Sequence, residues 1–268
     1  MAERSLMFRQ KPNLPVPMKD IINARKLFLD NIKIANLSTR LFWAMTNNDY
    51  ERADALLKAG ANPNARDENG VSALTRAVQK RNPDLCALLV RYGANVNRKG
   101  NAGFTPLMTA SMSNDTLTVK CLIGCGADKD AMCDVGKTPL IFALESACVD
   151  NVSALLEAGA SPNAHGEYTD HPLLWAISRY TDNESMSMVS MLIRHGADCS
   201  KESLGTSVFD AFCMARLPGA GRAYAMINFL NAFLERKEVH NILNEEIMRP
   251  FMKDFLECVS SPIAQYLK

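Results

Sequence analysis

Thr105-Pro106-Leu107 and Thr138-Pro139-Leu140 stand 33 residues apart, and the same interval continues in both directions. Thr39-Arg40-Leu41, Ser72-Ala73-Leu74 and His171-Pro172-Leu173 fall on that register. An alanine follows at a fixed offset (Ala44, Ala77, Ala110, Ala143, Ala176), and a glycine later (Gly60, Gly93, Gly126, Gly159). The next glycine, Gly196, is displaced by four residues, which places an insertion around 179–185. A sixth, degenerate unit begins at Thr206-Ser207-Val208. A chain written this way builds one small unit repeatedly. Each copy must bury its apolar face against its neighbours, so the product is a stack.

Each recurring position has a physical role. Thr or Ser at the anchor accepts from the orphan N–H groups of a first helical turn. Proline next to it suits the first helical position, where a missing N–H costs nothing. Leucine faces the core, and alanine lets a neighbouring helix come close. A second helix follows with three apolar columns. They are Ala53, Cys86, Val119, Val152 and Val189; Leu56, Leu89, Leu122, Leu155 and Leu192; and Leu57, Val90, Ile123, Leu156 and Ile193. Within a unit these lie three and four residues apart, on one helical face. The glycine is the expected C-cap, and the Asn, Asp and Gly beyond it form a turn-rich segment.

The phrases "TPL", "ALLKAGANPN", "ALLEAGASPN" and "LIRHGAD" resemble the ankyrin repeat. The resemblance covers about residues 37–235 and implies an all-α fold: an ankyrin-repeat solenoid of stacked helix-turn-helix units with β-hairpin-like fingers. The family's His after TPL is replaced in every unit, by Phe42, Thr75, Met108, Ile141 and Leu174, so apolar packing is expected to carry more of the stacking. The family's finger Asp is kept at Asp67 but gives way to Gly100, Cys133 and Gly166.

The sequence divides into an N-terminal extension with a capping helix (1–36), the repeat domain (37–235) and a C-terminal helical cap (236–268). In the first, residues 17–37 have helical spacing, with Ile21, Ile22, Leu27, Phe28 and Ile34 as apolar candidates; a separate docking helix is the other reading. In the last, Pro250 breaks or bends the helices.

Little in the sequence points to catalysis or a cofactor. No phosphate-binding glycine loop, dinucleotide fingerprint, HExxH or GxSxG is present. Eight cysteines lack any CxxC and fit no zinc module, so free thiols in a reducing, cytoplasmic setting are expected. The net charge of +1 argues against a nucleic-acid partner. No run reaches the length of a membrane helix, and the N-terminus lacks an export h-region. The four sequons, at Asn36, Asn114, Asn151 and Asn183, are expected to be unused.

The resemblance therefore implies a non-enzymatic adaptor, monomeric on its own, that binds a protein partner through the concave, finger-bearing face. Two rival readings are a secreted bacterial effector acting in a host cytoplasm and an enzyme with its site in 206–268. Carried over by position, the partner-facing finger residues are Arg66, Glu68, Asn69, Lys99, Asn101, Phe104, Met132, Asp134, Lys137, His165, Glu167, Tyr168 and Asp170. On the first helices one column runs Trp43, Arg76, Thr109, Phe142, Trp175. It reads either as partly buried stacking or as an aromatic interface patch at Phe142 and Trp175 flanked by Tyr168. Asn64, Asn97 and Asn163 occupy the place where the family can be hydroxylated by an asparaginyl hydroxylase, and where Asn also has a turn-forming role.

Overall fold

In the computed structural model, the described residues are 36–167, 169, 171–179, 183–198, 202–203 and 206–207, with Asn23 and Lys26. A helix runs through residues 36–46 (α1). Then come α2 (Tyr50–Lys58), α3 (Ala73–Gln79), α4 (Pro83–Arg91), α5 (Pro106–Ser111) and α6 (Thr116–Gly124). They are followed by α7 (Pro139–Glu145), α8 (Val149–Glu157), α9 (Pro172–Arg179) and α10 (Asn183–Arg194). Two short antiparallel strands, β1 (Glu202–Ser203) and β2 (Thr206–Ser207), end the described part. Most of the proposed N-terminal capping helix (all but Asn23, Lys26 and residues 36–37), the C-terminal cap and most of the sixth unit lie outside the described residues.

Ser72, Thr105, Thr138 and His171 directly precede helices as expected, but Thr39 lies inside α1 and does not start it. Ser72, Thr105 and Thr138 accept from the N–H groups of Thr75, Met108 and Ile141. A second series of caps recurs at the same interval. Asp49, Asn82 and Asp115 open α2, α4 and α6 by accepting from Arg52, Leu85 and Thr118, whereas Cys148 in the same place makes no side-chain cap. The second helices end at glycines with φ between 84° and 96° (Gly60, Gly93, Gly126, Gly159, Gly196), a backbone that costs a side chain energy. The insertion before Gly196 lengthens the second helix: α10 has 12 residues where α8 has nine.

Helices pack in two layers. α3, α5, α7 and α9 contact one another in sequence, as do α2, α4, α6, α8 and α10, and each unit's two helices pack together. The column alanines Ala44, Ala77, Ala110, Ala143 and Ala176 are wholly buried, which lets the layers approach. Leu41, Leu74, Leu107, Leu140 and Leu173 fill the same core, with Leu89, Leu122, Leu155 and Leu192 from the second helices. Full burial of such a side chain contributes about 1.5–3 kcal/mol.

Polar links also join the units. Asn64 donates to the Gly93 carbonyl (2.8 Å) and accepts from the Asn95 N–H (2.8 Å). Asn97 repeats this with Gly126 and Asp128, and Asn163 with Gly196 and Asp198. In the third place of that register, between Asn97 and Asn163, stands Asp130, which accepts from Ser161 but has no proton to donate; Lys129 donates to the Ala158 carbonyl beside it. Beside the apolar packing expected to carry more of the stacking where the histidines are missing, an asparagine ladder shares the load. One link is wholly buried. Asn151 on α8 donates to the carbonyls of Ser111 and Ser113 and accepts from Thr116. No glycan could reach it in this fold.

Candidate functional site

The fingers are tight turns between one unit's second helix and the next unit's first. In the first, Asp67 organises the turn. Its Oδ1 accepts from the N–H groups of Asn69 and Val71, and its Oδ2 pairs with Arg76 at 2.5 Å. Burial pushes the Asp67 carboxyl up, but the Val71 amide and the Arg76 guanidinium outweigh it and hold the pKa below the usual value. Arg66 and Ser72 form an isolated antiparallel bridge at the base. The later fingers close without the aspartate. Gly100 donates to Phe104 (2.7 Å) and Cys133 to Lys137 (3.1 Å) through the backbone.

Neighbouring fingers are fastened edge to edge. Arg66 donates to the Lys99 carbonyl (2.8 Å), Lys99 to the Met132 carbonyl (2.8 Å), and Asn101 to the Asn69 carbonyl (3.3 Å). Backbone bonds run from Asp134 to Ala102 and from Gly166 to Gly136. The third and fourth fingers meet so closely that a Cβ on Gly136 would lie 2.7 Å from the Gly166 Cα. Glycine at 166 thus has its own use: it admits the neighbouring backbone.

Against this frame the candidate residues separate. Arg66, Glu68, Asn69, Lys99, Asn101, Met132, Asp134 and Glu167 are exposed. Three of them, Arg66, Lys99 and Asn101, also staple fingers together. Phe104, Lys137 and His165 are half-buried. Lys137 pairs with Glu145 (2.5 Å) and lies 5.8 Å from the Phe142 ring centre. Tyr168 and Asp170 lie outside the described residues.

Phe142 and Trp175 do not form an exposed aromatic patch: they are 4% and 8% exposed. Phe142 packs in a small cluster with Met108, Cys133 and Phe104, its ring centre 5.0 Å from that of Phe104. Both aromatics belong to the interior, the stacking alternative. Trp43, in the same column, is 52% exposed and carries the Arg52 guanidinium 4.4 Å above its ring.

Apolar exposure on the finger row centres on Met132 (37%) and Val135 (55%). Arg98, beside Lys99 in "NRKG", was not singled out by sequence position, yet it lines the hollow between the first two fingers. Asn163 is engaged on both sides of its amide. It also meets His171, whose Nε2 lies 3.0 Å from Oδ1 while its Nδ1 accepts from Leu173, so the ring proton sits on Nε2. Among the described residues, no group of three or more His, Cys, Asp or Glu could hold a metal, and no helix is long and apolar enough to cross a membrane.

A family model for ankyrin repeats matches the chain in three copies, over residues 41–132, 89–165 and 107–203. No curated protein matches the sequence. The matched stretches together span residues 41–203, more than half of the sequence, and coincide with the stacked units. On the period, the paired helices and the fingers, the chain belongs to the ankyrin-repeat family.

Proposed function

We propose that this chain is a non-enzymatic adaptor that binds a protein partner through its concave, finger-bearing face. Ankyrin repeats are in general protein–protein interaction modules, typically without catalytic activity. One observation supports this face in particular. Met132 and Val135 are exposed at the third finger, while Phe104, Met108, Cys133 and Phe142 are partly or fully buried. Apolar side chains held out on a stapled loop suit an interface better than bulk water. The free thiols expected from the cysteine pattern fit a cytoplasmic setting for such an adaptor.

The experiment is affinity capture with mass spectrometry, using the full chain and two variants. Met132→Asp/Val135→Asp places charge on the finger face. Leu117→Asp does so at a residue 71% exposed on the second-helix layer. The expected result is loss of the captured partner from the finger variant alone, with both variants showing the parental circular dichroism. Loss from Leu117→Asp alone would assign the interface to the opposite face.

A further inference from the structure

The finger row is electrically polarised. Arg66, Arg98 and Lys99 border one hollow of about 80 Å³ between the first two fingers, with Val71, Thr75, Phe104 and Thr109 also lining it. Their hydrogen bonds go to neutral groups. Arg66 donates to the Gly70 and Lys99 carbonyls, Arg98 to the Asn64 carbonyl, and Lys99 to the Met132 carbonyl. A carbonyl satisfies a donor and leaves its charge uncompensated. The ion pairs Lys58–Asp54, Arg76–Asp67 and Lys137–Glu145 use none of these three cations. Glu68 is the exposed anion on these two fingers, and Asp67 is already matched by Arg76. Towards the third and fourth fingers the sign reverses, with Asp134 exposed between Met132 and Val135 and Glu167 exposed on the fourth finger. The whole chain carries only +1, so the cationic end is local and not a by-product of general basicity.

We propose that the hollow between the first two fingers docks an acidic, extended segment of the protein partner. Its carboxylates lie over Arg66, Arg98 and Lys99, and an apolar side chain rests against Phe104. This builds on the concave-face reading and specifies the chemistry of what binds there. Each guanidinium has five N–H donors, so donors and the full charge remain for a carboxylate after one or two carbonyl bonds. Each exposed pair contributes little alone, so recognition requires several carboxylates together and weakens with salt. The acidic groups farther along the row repel a long polyanion, which favours a protein segment over a nucleic-acid strand.

Fluorescence polarisation on the full chain tests this, with a short labelled glutamate-rich peptide carrying one leucine, its lysine counterpart, and a single-stranded oligonucleotide. The glutamate peptide is expected to bind, the lysine peptide not. Arg66→Gln/Lys99→Gln keeps amide donors for the staples but removes two charges. It should weaken binding about tenfold, whereas Lys80→Gln/Lys120→Gln, an equal charge change at exposed sites outside the hollow, should leave it intact. If the first variant melts earlier than the parent, Arg98→Gln serves in its place, with a smaller weakening expected for its single charge and still none from the control variant. Failure of the glutamate peptide to bind, equal loss from the control variant, or equally tight oligonucleotide binding overturns the proposal. So does a salt-dissociable dimer in sedimentation, which would make a second copy the occupant. If the peptide fails while Met132→Asp/Val135→Asp still loses the captured partner, the acidic segment falls and the concave-face reading stands.

Discussion

Asp67 shows how much one side chain can do in a finger. It accepts two backbone N–H groups and pairs with Arg76 from the following helix. Folding lowers its pKa, so the folded state binds the proton more weakly than the unfolded one. Its contribution is therefore fully present above the unfolded value of about 3.9 and disappears as pH falls through the lower folded value. Asp67→Asn should lower stability by about 1–2 kcal/mol at neutral pH, from the loss of charge-assisted hydrogen bonds. Urea melts of both proteins from pH 7 to pH 3 should show the gap closing on the acid side. A constant gap would mean that the carboxylate's charge does not matter.

The paired helices, the Ser and Thr caps of α3, α5 and α7 and the terminal glycines could be read directly, because each depends on neighbours within a few residues; the Asp49, Asn82 and Asp115 caps of the second helices were not. The fingers could be read only in outline. Phe142 and Trp43 share a column in the period, yet one is 4% and the other 52% exposed. The difference lies in what covers them: Phe142 lies under Phe104, a residue from another unit, and a position in a repeat does not state its cover. Arg66, Lys99 and Asn101 posed a related difficulty. Long polar side chains at variable positions look free for a partner, but here they reach carbonyls of the adjoining finger. Gly136 is the sharpest case, with φ at 80° and the Gly166 backbone against its open side. Gly136→Ala should cost about 1–3 kcal/mol through backbone strain and the displaced finger. Differential scanning calorimetry should show a lower Tm for this variant. An unchanged Tm would mean that the fingers part freely at this point.

At the scale of the stack, the described helices α2–α10 pack chiefly on their own partner and on the helices of adjoining units. Stability in such a stack is a sum of unit and nearest-interface terms. Leu107 is wholly buried on α5, which packs on α3, α6 and α7. Leu107→Ala opens a cavity there and should cost about 2–5 kcal/mol. The loss should be graded by distance along the stack. Native-state hydrogen exchange should lose most protection in α5 and α6, less in α3, α4, α7 and α8, and least in α9 and α10. The asparagine ladder bears on this gradient, since Asn64 and Asn97 carry hydrogen bonds across the interfaces flanking the α3–α4 unit. Those bonds do not depend on Leu107, so α4 should keep more protection than α6 in the variant. Uniform loss across all helices would instead describe a stack that opens as one unit, with interfaces too strong for local failure.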